Sequence, residues 1–217
     1  MVDHTLFAAA YDRMLAVSEV RGLAERRRRL LAEARGNVLE IDAGTGLNLS
    51  HYRSDAVASV VALEPDSAMR ELLLQRVGAG PSGITYEVHE VGIEQAEFPE
   101  GSFDTVVATL ALCSVADPDR AIGDACRWLA PHGRLLFLEH VRAPGMRGRL
   151  QRAVTPLWRR AAAGCRLDRD TLGVLRRAGL VITDCERFAM PAGGVLMSTC
   201  VQGVARPRPV VADEAVG

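Results

Sequence analysis

The stretch NVLEIDAGTGLN, residues 37–48, decides the fold because it predicts a buried strand, a tight turn and the start of a helix. Residues 38–41, VLEI, supply the short apolar run that a parallel strand covered on both faces requires. Gly44 and Gly46 follow, and glycine lets a backbone approach a ligand where a Cβ atom would clash. A strand and turn of this kind are typical of a nucleotide-cofactor site.

The spacing of the glycines indicates which cofactor the turn would hold. A dinucleotide site needs a third glycine three residues after the second, and Leu49 stands there instead. The pattern Glu40-x-Asp42-x-Gly44-x-Gly46 resembles motif I of the class I S-adenosylmethionine (SAM) methyltransferases, in which G-x-G-x-G follows an acidic residue. A nucleotide-sugar or NAD enzyme, and a non-catalytic protein with the SAM fold, are the alternative hypotheses.

Asp42 stands where this motif has its first glycine. Aspartate is one of the few non-glycine residues that tolerate a positive φ, so we expect the turn to form. Two hypotheses remain for its charge. Either the carboxylate repels the methionine carboxylate of SAM, in which case Asp42→Gly would tighten binding, or it accepts a hydrogen bond from the cofactor's ammonium group, in which case the same change would weaken binding.

Composition indicates one α/β domain. The chain has 217 residues, of which 48% are hydrophobic and 24% charged, and a formal net charge of −1 that argues against bulk binding to nucleic acid. All of its basic residues are arginine, which favours a bacterial source with a GC-rich genome. Its five cysteines show no C-x-x-C spacing, so the sequence predicts neither a metal site nor a disulfide framework. Without a signal peptide or a membrane span, we expect a cytoplasmic protein.

Two helices, at residues 4–17 and 22–35, precede the first strand and form a predicted N-terminal helical cap over residues 1–36. The first helix carries Tyr11, which either covers the cofactor or packs as an ordinary amphipathic tyrosine. The second carries the run Arg26–Arg29, which the sequence predicts to be a solvated face.

A second acidic residue follows the second predicted strand, Val57–Leu63. Glu64 ends this strand about 20 residues beyond the glycine turn, where a carboxylate is placed to accept hydrogen bonds from both ribose hydroxyls of an adenosine. Pro65 stops the strand. Met69, one turn into the next helix, covers the adenine, belongs to the core, or does both.

Later segments carry a more specific resemblance. Residues 98–104, FPEGSFD, are similar to a segment before strand 4 in the ubiquinone/menaquinone-type methyltransferases. The strings LCSV at 112–115, EHV at 139–141 and GCRLDR at 164–169 resemble the thiol methyltransferase branch of that family. The resemblance covers about residues 37–180.

The resemblance implies a Rossmann-like, doubly wound sheet of seven strands in the order 3-2-1-4-5-7-6, with strand 7 antiparallel. The methyltransferase domain would span residues 37–205, with a cap over the substrate cleft at 144–178 and a disordered tail at 206–217. Leu180–Phe188 and Val195–Val204 are the predicted last two strands. The implied cofactor is SAM, with S-adenosylhomocysteine as product, and the implied SAM-binding residues are Tyr11, Glu40, Asp42, Ala43, Gly44, Gly46, Asn48, Glu64, Pro65, Met69, Gly92, Ile93, Glu94, Thr109 and Leu110.

Methyl transfer from a sulfonium mainly requires alignment of donor and acceptor, so no protein nucleophile is needed. His140 is the candidate general base, or else a histidine fixed by a neighbouring carboxylate. The favoured acceptor is a lipophilic thiol, and the alternative is O-, N- or C-methylation of a quinol, phenol or other small metabolite. The predicted acceptor-site residues are Cys113, Ser114, His140, Arg142 and Trp158.

Residues 144–163 form a basic amphipathic stretch with five arginines. One interpretation is a cap that turns Leu150, Val154, Leu157 and Trp158 towards the substrate cleft. The other is a helix that touches a membrane surface or an acidic acceptor.

Overall fold

A computed structural model describes residues 11–13, 15–162 and 164–208 of the chain. Its centre is one mixed sheet of seven strands in the order β3-β2-β1-β4-β5-β7-β6, which confirms the predicted order. Neighbouring strands are parallel from β3 to β5, while β7 is antiparallel to both β5 and β6. The strands are β1 Gly36–Ile41, β2 Val57–Leu63, β3 Thr85–His89, β4 Phe103–Thr109, β5 Leu129–His140, β6 Leu180–Ala189 and β7 Thr199–Pro207.

Helices cover both faces of this sheet. They are α1 Ala24–Leu31, α2 Ser67–Val77, α3 Pro118–Trp128, α4 Gly145–Ala161 and α5 Thr171–Arg177. Leu30 of α1 and Leu73 of α2 belong to the core on one face, and Ile122 of α3 and Leu175 of α5 belong to the core on the other. The two cores explain why the central strands are apolar on both sides.

The chain before α1 is helical at residues 11–13 and 15–18, and a π-helical turn at Glu19–Leu23 joins it to α1. Gly22 kinks this turn with a φ of 121°, a conformation that glycine adopts without steric cost. The rest of the helix predicted at residues 4–17 lies outside the described residues. Within the part of the chain that the structure describes, no helix is both long enough and apolar enough to cross a membrane.

Several predicted boundaries need correction. Only a 3-10 turn, Leu49–His51, forms where a helix was expected after the glycine turn. The sequence predicts that strand 5 begins at Arg134, but β5 begins at Leu129 because residues 131–133 are extended, and β7 begins at Thr199, not at 195. Residues 206 and 207 belong to β7, where Arg206 pairs with Val181 and Pro207 with Leu180. The predicted tail therefore begins later than expected, and its residues 209–217 lie outside the described part.

Candidate functional site

The glycine turn that follows β1 contains three residues in the left-handed conformation. Asp42 has a φ of 45°, Gly44 of 60° and Gly46 of 83°, so the prediction that aspartate adopts a positive φ here is confirmed. A Cβ atom on Gly44 would meet no atom within 4 Å, whereas one on Gly46 would lie 2.8 Å from Cδ1 of Leu73. Gly44 thus leaves open space for a ligand, and Gly46 lets the turn pack against α2.

Glu40 and Asn48 form a buried polar network below the turn. Glu40 accepts hydrogen bonds from Nδ2 of Asn48 (2.8 Å) and from the hydroxyl of Tyr52 (2.7 Å). Burial raises the pKa of the Glu40 carboxyl. Asn48 also donates to Oγ1 of Thr109 (2.7 Å), at the end of β4. The network therefore joins the predicted cofactor residues of β1, the turn and β4.

Arg27 completes this network, although the sequence interpretation placed it on a solvated face. Its side chain is buried, with 3% of the residue exposed, and donates to Oε1 of Glu19 (3.0 Å), Oδ1 of Asn48 (2.8 Å) and Oγ1 of Thr109 (3.1 Å). The interpretation was wrong for this arginine. The sequence does indicate that Arg27 is buried, because position 27 lies at helical spacing from the buried residues Leu23, Leu30 and Leu31.

The other arginines of the run lie at the surface. Arg28 and Arg29 are exposed and both pair with Glu25, at 2.7 Å each. Arg26 pairs with Glu186 (2.9 Å) and lies 3.9 Å from the ring centroid of Phe188. A solvated face therefore describes Arg28 and Arg29 only.

A cavity opens above the turn, and the helix that carries Tyr11 lies against it. Asp12 holds this helix against the glycine turn by accepting hydrogen bonds from Oγ1 of Thr45 (2.7 Å) and from Arg76. Burial raises the pKa of the Tyr11 hydroxyl. Five of the residues that line the cavity belong to the predicted cofactor site. The lining residues are Tyr11, Arg27, Asp42, Ala43, Gly44, Thr45, Leu47 and Thr109.

Glu64 links the end of β2 to the glycine turn. Its Oε2 accepts a hydrogen bond from the backbone N–H of Gly44 (2.7 Å), and its Oε1 accepts one from the N–H of Asp66 (2.8 Å). Burial raises the pKa of the carboxyl. Pro65 follows directly, and Met69 at the start of α2 is buried in the core. The carboxylate thus holds the shape of the turn in addition to the ribose contact predicted for it.

The backbone after β3 and β4 bounds the rest of the predicted SAM site. Ile93 is fully buried in a 3-10 turn, and the N–H of Ala116 donates to Oε1 of Glu94 (2.9 Å). Oε2 of Glu94 lies 3.1 Å from the position a Cβ atom of Gly92 would take, so the Glu94 carboxylate lies close to the backbone of Gly92. After β4, Leu110 has a φ of 57°, a strained conformation for leucine of the kind found at functional sites.

Asp42 is half-buried among other acids. Burial, followed by the charges of Glu64, Glu94 and Glu139, raises the pKa of the Asp42 carboxyl to about 8. Because the folded pKa lies above the unfolded value of 3.8, the folded state retains a proton that the unfolded state has released. This contribution to stability is complete below the unfolded pKa and is lost as the pH rises towards 8.

Asp42→Asn should therefore remove part of the pH dependence of stability. Asparagine tolerates the positive φ and carries no titrating charge. When the pH rises from 5 to 8.5, the unfolding free energy of the native protein should therefore fall by about 1–3 kcal/mol more than that of the variant. Urea unfolding at both pH values, without SAM, measures this difference. Other buried acids titrate in both proteins, so the difference isolates Asp42. Parallel pH profiles would contradict a raised pKa for Asp42.

Three of the predicted acceptor-site residues have different surroundings. Ser114 donates to the carbonyl oxygen of Ala111 (2.8 Å), which closes the turn after β4. Arg142 is exposed and lines a separate cavity of about 180 Å³ together with Arg169 and Arg187. Trp158 is half-buried on α4. The structure thus gives Ser114 a structural hydrogen bond and places Arg142 at another cavity.

Cys113, His140 and Cys165 come together at the ends of β4 and β5. Nε2 of His140 lies 3.1 Å from Sγ of Cys165, and the ligand atoms of the three residues all lie within 4.8 Å of one another. The contacts of Cys165 with Cys113 and His140 lower the pKa of its thiol. The cysteine spacing predicted no metal site, and the structure brings two of the cysteines together with His140. The hydrogen-bond partner recorded for His140 is a thiol and not a carboxylate.

Glu139 is a buried acid beside this cluster that the sequence interpretation missed. Its Oε1 accepts hydrogen bonds from the N–H groups of Ala111 (2.9 Å) and Leu112 (3.0 Å). Burial raises the pKa of its carboxyl to about 7. Its electrostatic influence reaches Tyr11 and Asp42, so the cluster adjoins the cavity above the glycine turn.

Helix α4 buries small and polar residues. Leu150 is 48% exposed and Leu157 is 72% exposed, so neither packs into the core of the domain, and their place facing a substrate cleft stays a prediction. The buried residues are Gly148, Gln151 and Thr155. Gln151 accepts from the N–H of Ala143 and donates to the carbonyl oxygen of Leu196, both at 2.7 Å. Peripheral contact of residues 144–163 with a membrane stays a prediction.

Comparison with known proteins identifies the family. A family model described as a methyltransferase domain matches residues 14–184. The chain belongs to this methyltransferase family. A crystal structure of a SAM-dependent methyltransferase from Thermotoga maritima, a possible histamine N-methyltransferase, has the same fold, with a TM-score of 0.67 at 20% identity over 94% of this chain and 98% of that one.

Two relatives carry information on acceptors. The thiol S-methyltransferase TMT1A of Homo sapiens is 29% identical over 173 residues, which cover 78% of this chain and 70% of that protein. The demethylmenaquinone methyltransferase of Thermus thermophilus is 30% identical over 109 residues, which cover 50% of this chain and 49% of that protein. The protein is a SAM-dependent methyltransferase.

The residues around the glycine turn match the cofactor of this family, while the cavity above the turn has a volume of about 20 Å³. The open space above Gly44 accepts a ligand that lies close to the backbone, and Glu64 stands at the end of β2 where a ribose would need an acceptor. Arg27 offers a cation to the carboxylate of an amino-acid group, and the Asp42 carboxyl offers an oxygen acceptor to its ammonium. SAM supplies an electrophilic methyl group when it is bound.

Proposed function

We propose that this methyltransferase transfers the methyl group of SAM to the sulfur of a small-molecule thiol. The observation that carries the proposal is the similarity to a thiol S-methyltransferase, which extends over 78% of this chain, compared with 50% for the quinone enzyme. The strings LCSV, EHV and GCRLDR fall within residues 112–169, inside the part of the chain that the family model matches.

The chemistry of the site supports a thiol. A thiol with a pKa of about 8.5 ionises near neutral pH, whereas a phenol with a pKa of about 10 needs a general base. His140, the candidate base, is buried and engaged with Cys165, so its Nε2 would have to leave this contact before it could accept a proton from an acceptor. An acceptor that loses its proton without a general base does not require His140 to leave this contact.

The body of the acceptor is less constrained by the structure. Because Leu150 and Leu157 are exposed, a lipophilic thiol would rely on the half-buried Val154 and Trp158 for apolar contact from α4. Methylation of a quinol carbon is the second candidate, supported by the relative from Thermus thermophilus.

A screen for release of S-adenosylhomocysteine tests the proposal. Each thiol is paired with the alcohol of the same carbon skeleton, and quinols, phenols and amines complete the panel. We expect turnover with thiols and none with the matched alcohols, at a rate that rises with pH towards the thiol pKa because the thiolate is the nucleophile. Turnover confined to oxygen, nitrogen or carbon acceptors would contradict S-methylation and leave the fold and the cofactor site unaffected.

A further inference from the structure

The Cys113, His140 and Cys165 side chains form a group that the predicted methyl-transfer chemistry does not require. They come from three separate segments, namely the turn after β4, the last residue of β5 and the loop after α4. Cys113 and His140 are buried and Cys165 is half-buried. Two thiol sulfurs and one imidazole nitrogen are the donor types that zinc and other thiolate-preferring metals select.

The backbone holds these three segments in fixed relation to one another. The N–H of Arg166, next to Cys165, donates to the carbonyl oxygen of Cys113 (2.9 Å). The N–H of Leu110 donates to Leu138 (2.8 Å) in β5, and that of Val141, next to His140, donates to Thr199 (2.9 Å) in β7. Ligands held in this way lose little conformational entropy when they bind an ion.

The distances between the three ligand atoms lie close to those around a tetrahedral ion. Zinc lies about 2.3 Å from sulfur and about 2.0–2.1 Å from nitrogen, so neighbouring ligand atoms are about 3.4–3.8 Å apart. Here the His140 and Cys165 ligand atoms are 3.1 Å apart and all three lie within 4.8 Å. Side-chain adjustments of about 1 Å would bring the three atoms onto one ion.

Several buried polar atoms near the cluster also lack partners. Among the residues that the structure describes, no hydrogen-bond partner reaches Nδ1 of His140, Oε2 of Glu139 or Nε1 of Trp158. Buried polar atoms of native proteins are normally satisfied, and a bound water or ion is one explanation for an exception. A cation beside the Glu139 carboxylate would also compensate its buried charge.

We propose that Cys113, His140 and Cys165 bind one Zn²⁺ ion, through two thiolate sulfurs and Nε2 of the imidazole, and leave its fourth position open. Each thiol that still carries a proton releases it to solvent on binding, and no electron is transferred. Sites with three protein ligands and a free position are typical of catalytic zinc, where water or substrate takes the fourth place. The half-buried Cys165 gives the ion a route from solvent.

Metal titration of the full-length, reduced and chelator-treated protein tests this site. Zn²⁺ in competition with a chromophoric chelator should bind at one ion per chain, with an apparent Kd below about 1 µM. Co²⁺ in its place should give thiolate-to-cobalt charge-transfer absorption and the intense visible bands of tetrahedral coordination. A Kd above this range, or Co²⁺ spectra without thiolate bands, would overturn the proposal.

Cysteine variants identify the ligands. Cys113→Ala and Cys165→Ala should each weaken Zn²⁺ binding by about 100-fold or more, since loss even of a residue that supports a ligand costs about 10–100-fold. The matched controls are Cys200→Ala, also buried, and Cys126→Ala, also half-buried, and both should bind Zn²⁺ as the native protein does. Equal binding by all four variants would overturn the assignment.

Alkylation of the native protein tests the site even if a cysteine variant does not fold. Zn²⁺ should protect Cys113 and Cys165 from alkylation, as detected by peptide mass spectrometry, and leave the exposed Cys185 reactive. Unchanged alkylation of Cys165 in the presence of Zn²⁺ would count against the site. None of these measurements depends on turnover, so their outcome is independent of the acceptor.

Discussion

Replacement of Arg27 by leucine is expected to lower the free energy of unfolding by about 3–5 kcal/mol, because it removes one partner of a buried ion pair. The guanidinium is the common donor to Glu19, Asn48 and Thr109. Without it, the Glu19 carboxylate loses its cation and Asn48 loses the donor to its carbonyl oxygen. Urea unfolding measures the change.

The same substitution should also weaken SAM binding. Arg27 lines the cavity, and loss of a charge-assisted hydrogen bond to the cofactor carboxylate would cost about 1.5–3 kcal/mol, or about 10–100-fold in Kd. Calorimetry at a temperature where the variant is folded measures this affinity. Arg27→Lys keeps the charge without the planar fork, so it should show an intermediate loss.

Neighbouring arginines provide the matched controls. Arg28 and Arg29 belong to the same run but are exposed and pair with Glu25, so Arg28→Leu and Arg29→Leu should change stability by about 1 kcal/mol at most. A stability loss in Arg27→Leu no larger than in these controls would contradict the buried role of Arg27.

Glu64→Ala should have the second largest effect, and it should act on both binding and stability. Removal of the carboxylate leaves the N–H groups of Gly44 and Asp66 without their acceptor, at a cost of about 1–3 kcal/mol in unfolding free energy. SAM affinity should fall by about one to two orders of magnitude because the ribose loses charge-assisted hydrogen bonds. Urea unfolding and calorimetry with SAM measure the two effects.

Two further variants separate these contributions. Glu64→Gln keeps one oxygen acceptor, so it should retain more stability than alanine while still weakening SAM binding. Glu87→Ala removes an exposed acid from the adjacent strand β3 and should leave both quantities unchanged. Native SAM affinity in Glu64→Ala would refute the ribose assignment, whatever happens to stability.

The positions of most strands could be predicted from the sequence, because most of them are short apolar runs separated by clear turn residues. The two acids at strand ends, Glu40 and Glu64, lie near the turn as expected, since carboxyl ends of adjacent parallel strands meet at one edge of the sheet. Strand order itself came from the family resemblance, because apolar periodicity does not determine which strands are neighbours.

The sequence did not predict the burial of Arg27 or the meeting of Cys113 and Cys165, for two different physical reasons. Arg27 was assigned by its charged neighbours instead of by its helical spacing from Leu23 and Leu30, and an arginine that has enough partners can be buried. Cys113 and Cys165 are far apart in the chain, so no local spacing indicates that they meet. Their contact depends on the fold, which places the turn after β4 beside the loop after α4.

The hydrogen bonds of Asp12 have a kinetic consequence. Asp12 joins the helix that carries Tyr11 to Thr45 of the glycine turn and to Arg76 of α2, across one wall of the cavity. If SAM binds behind this helix, exchange of spent cofactor for fresh donor would require the helix to detach, and steps of this kind limit turnover in many enzymes that close over their ligands. The catalytic rate of this methyltransferase would in that case be set by how often a surface carboxylate releases its two partners, and not by the speed at which a methyl group crosses to its acceptor.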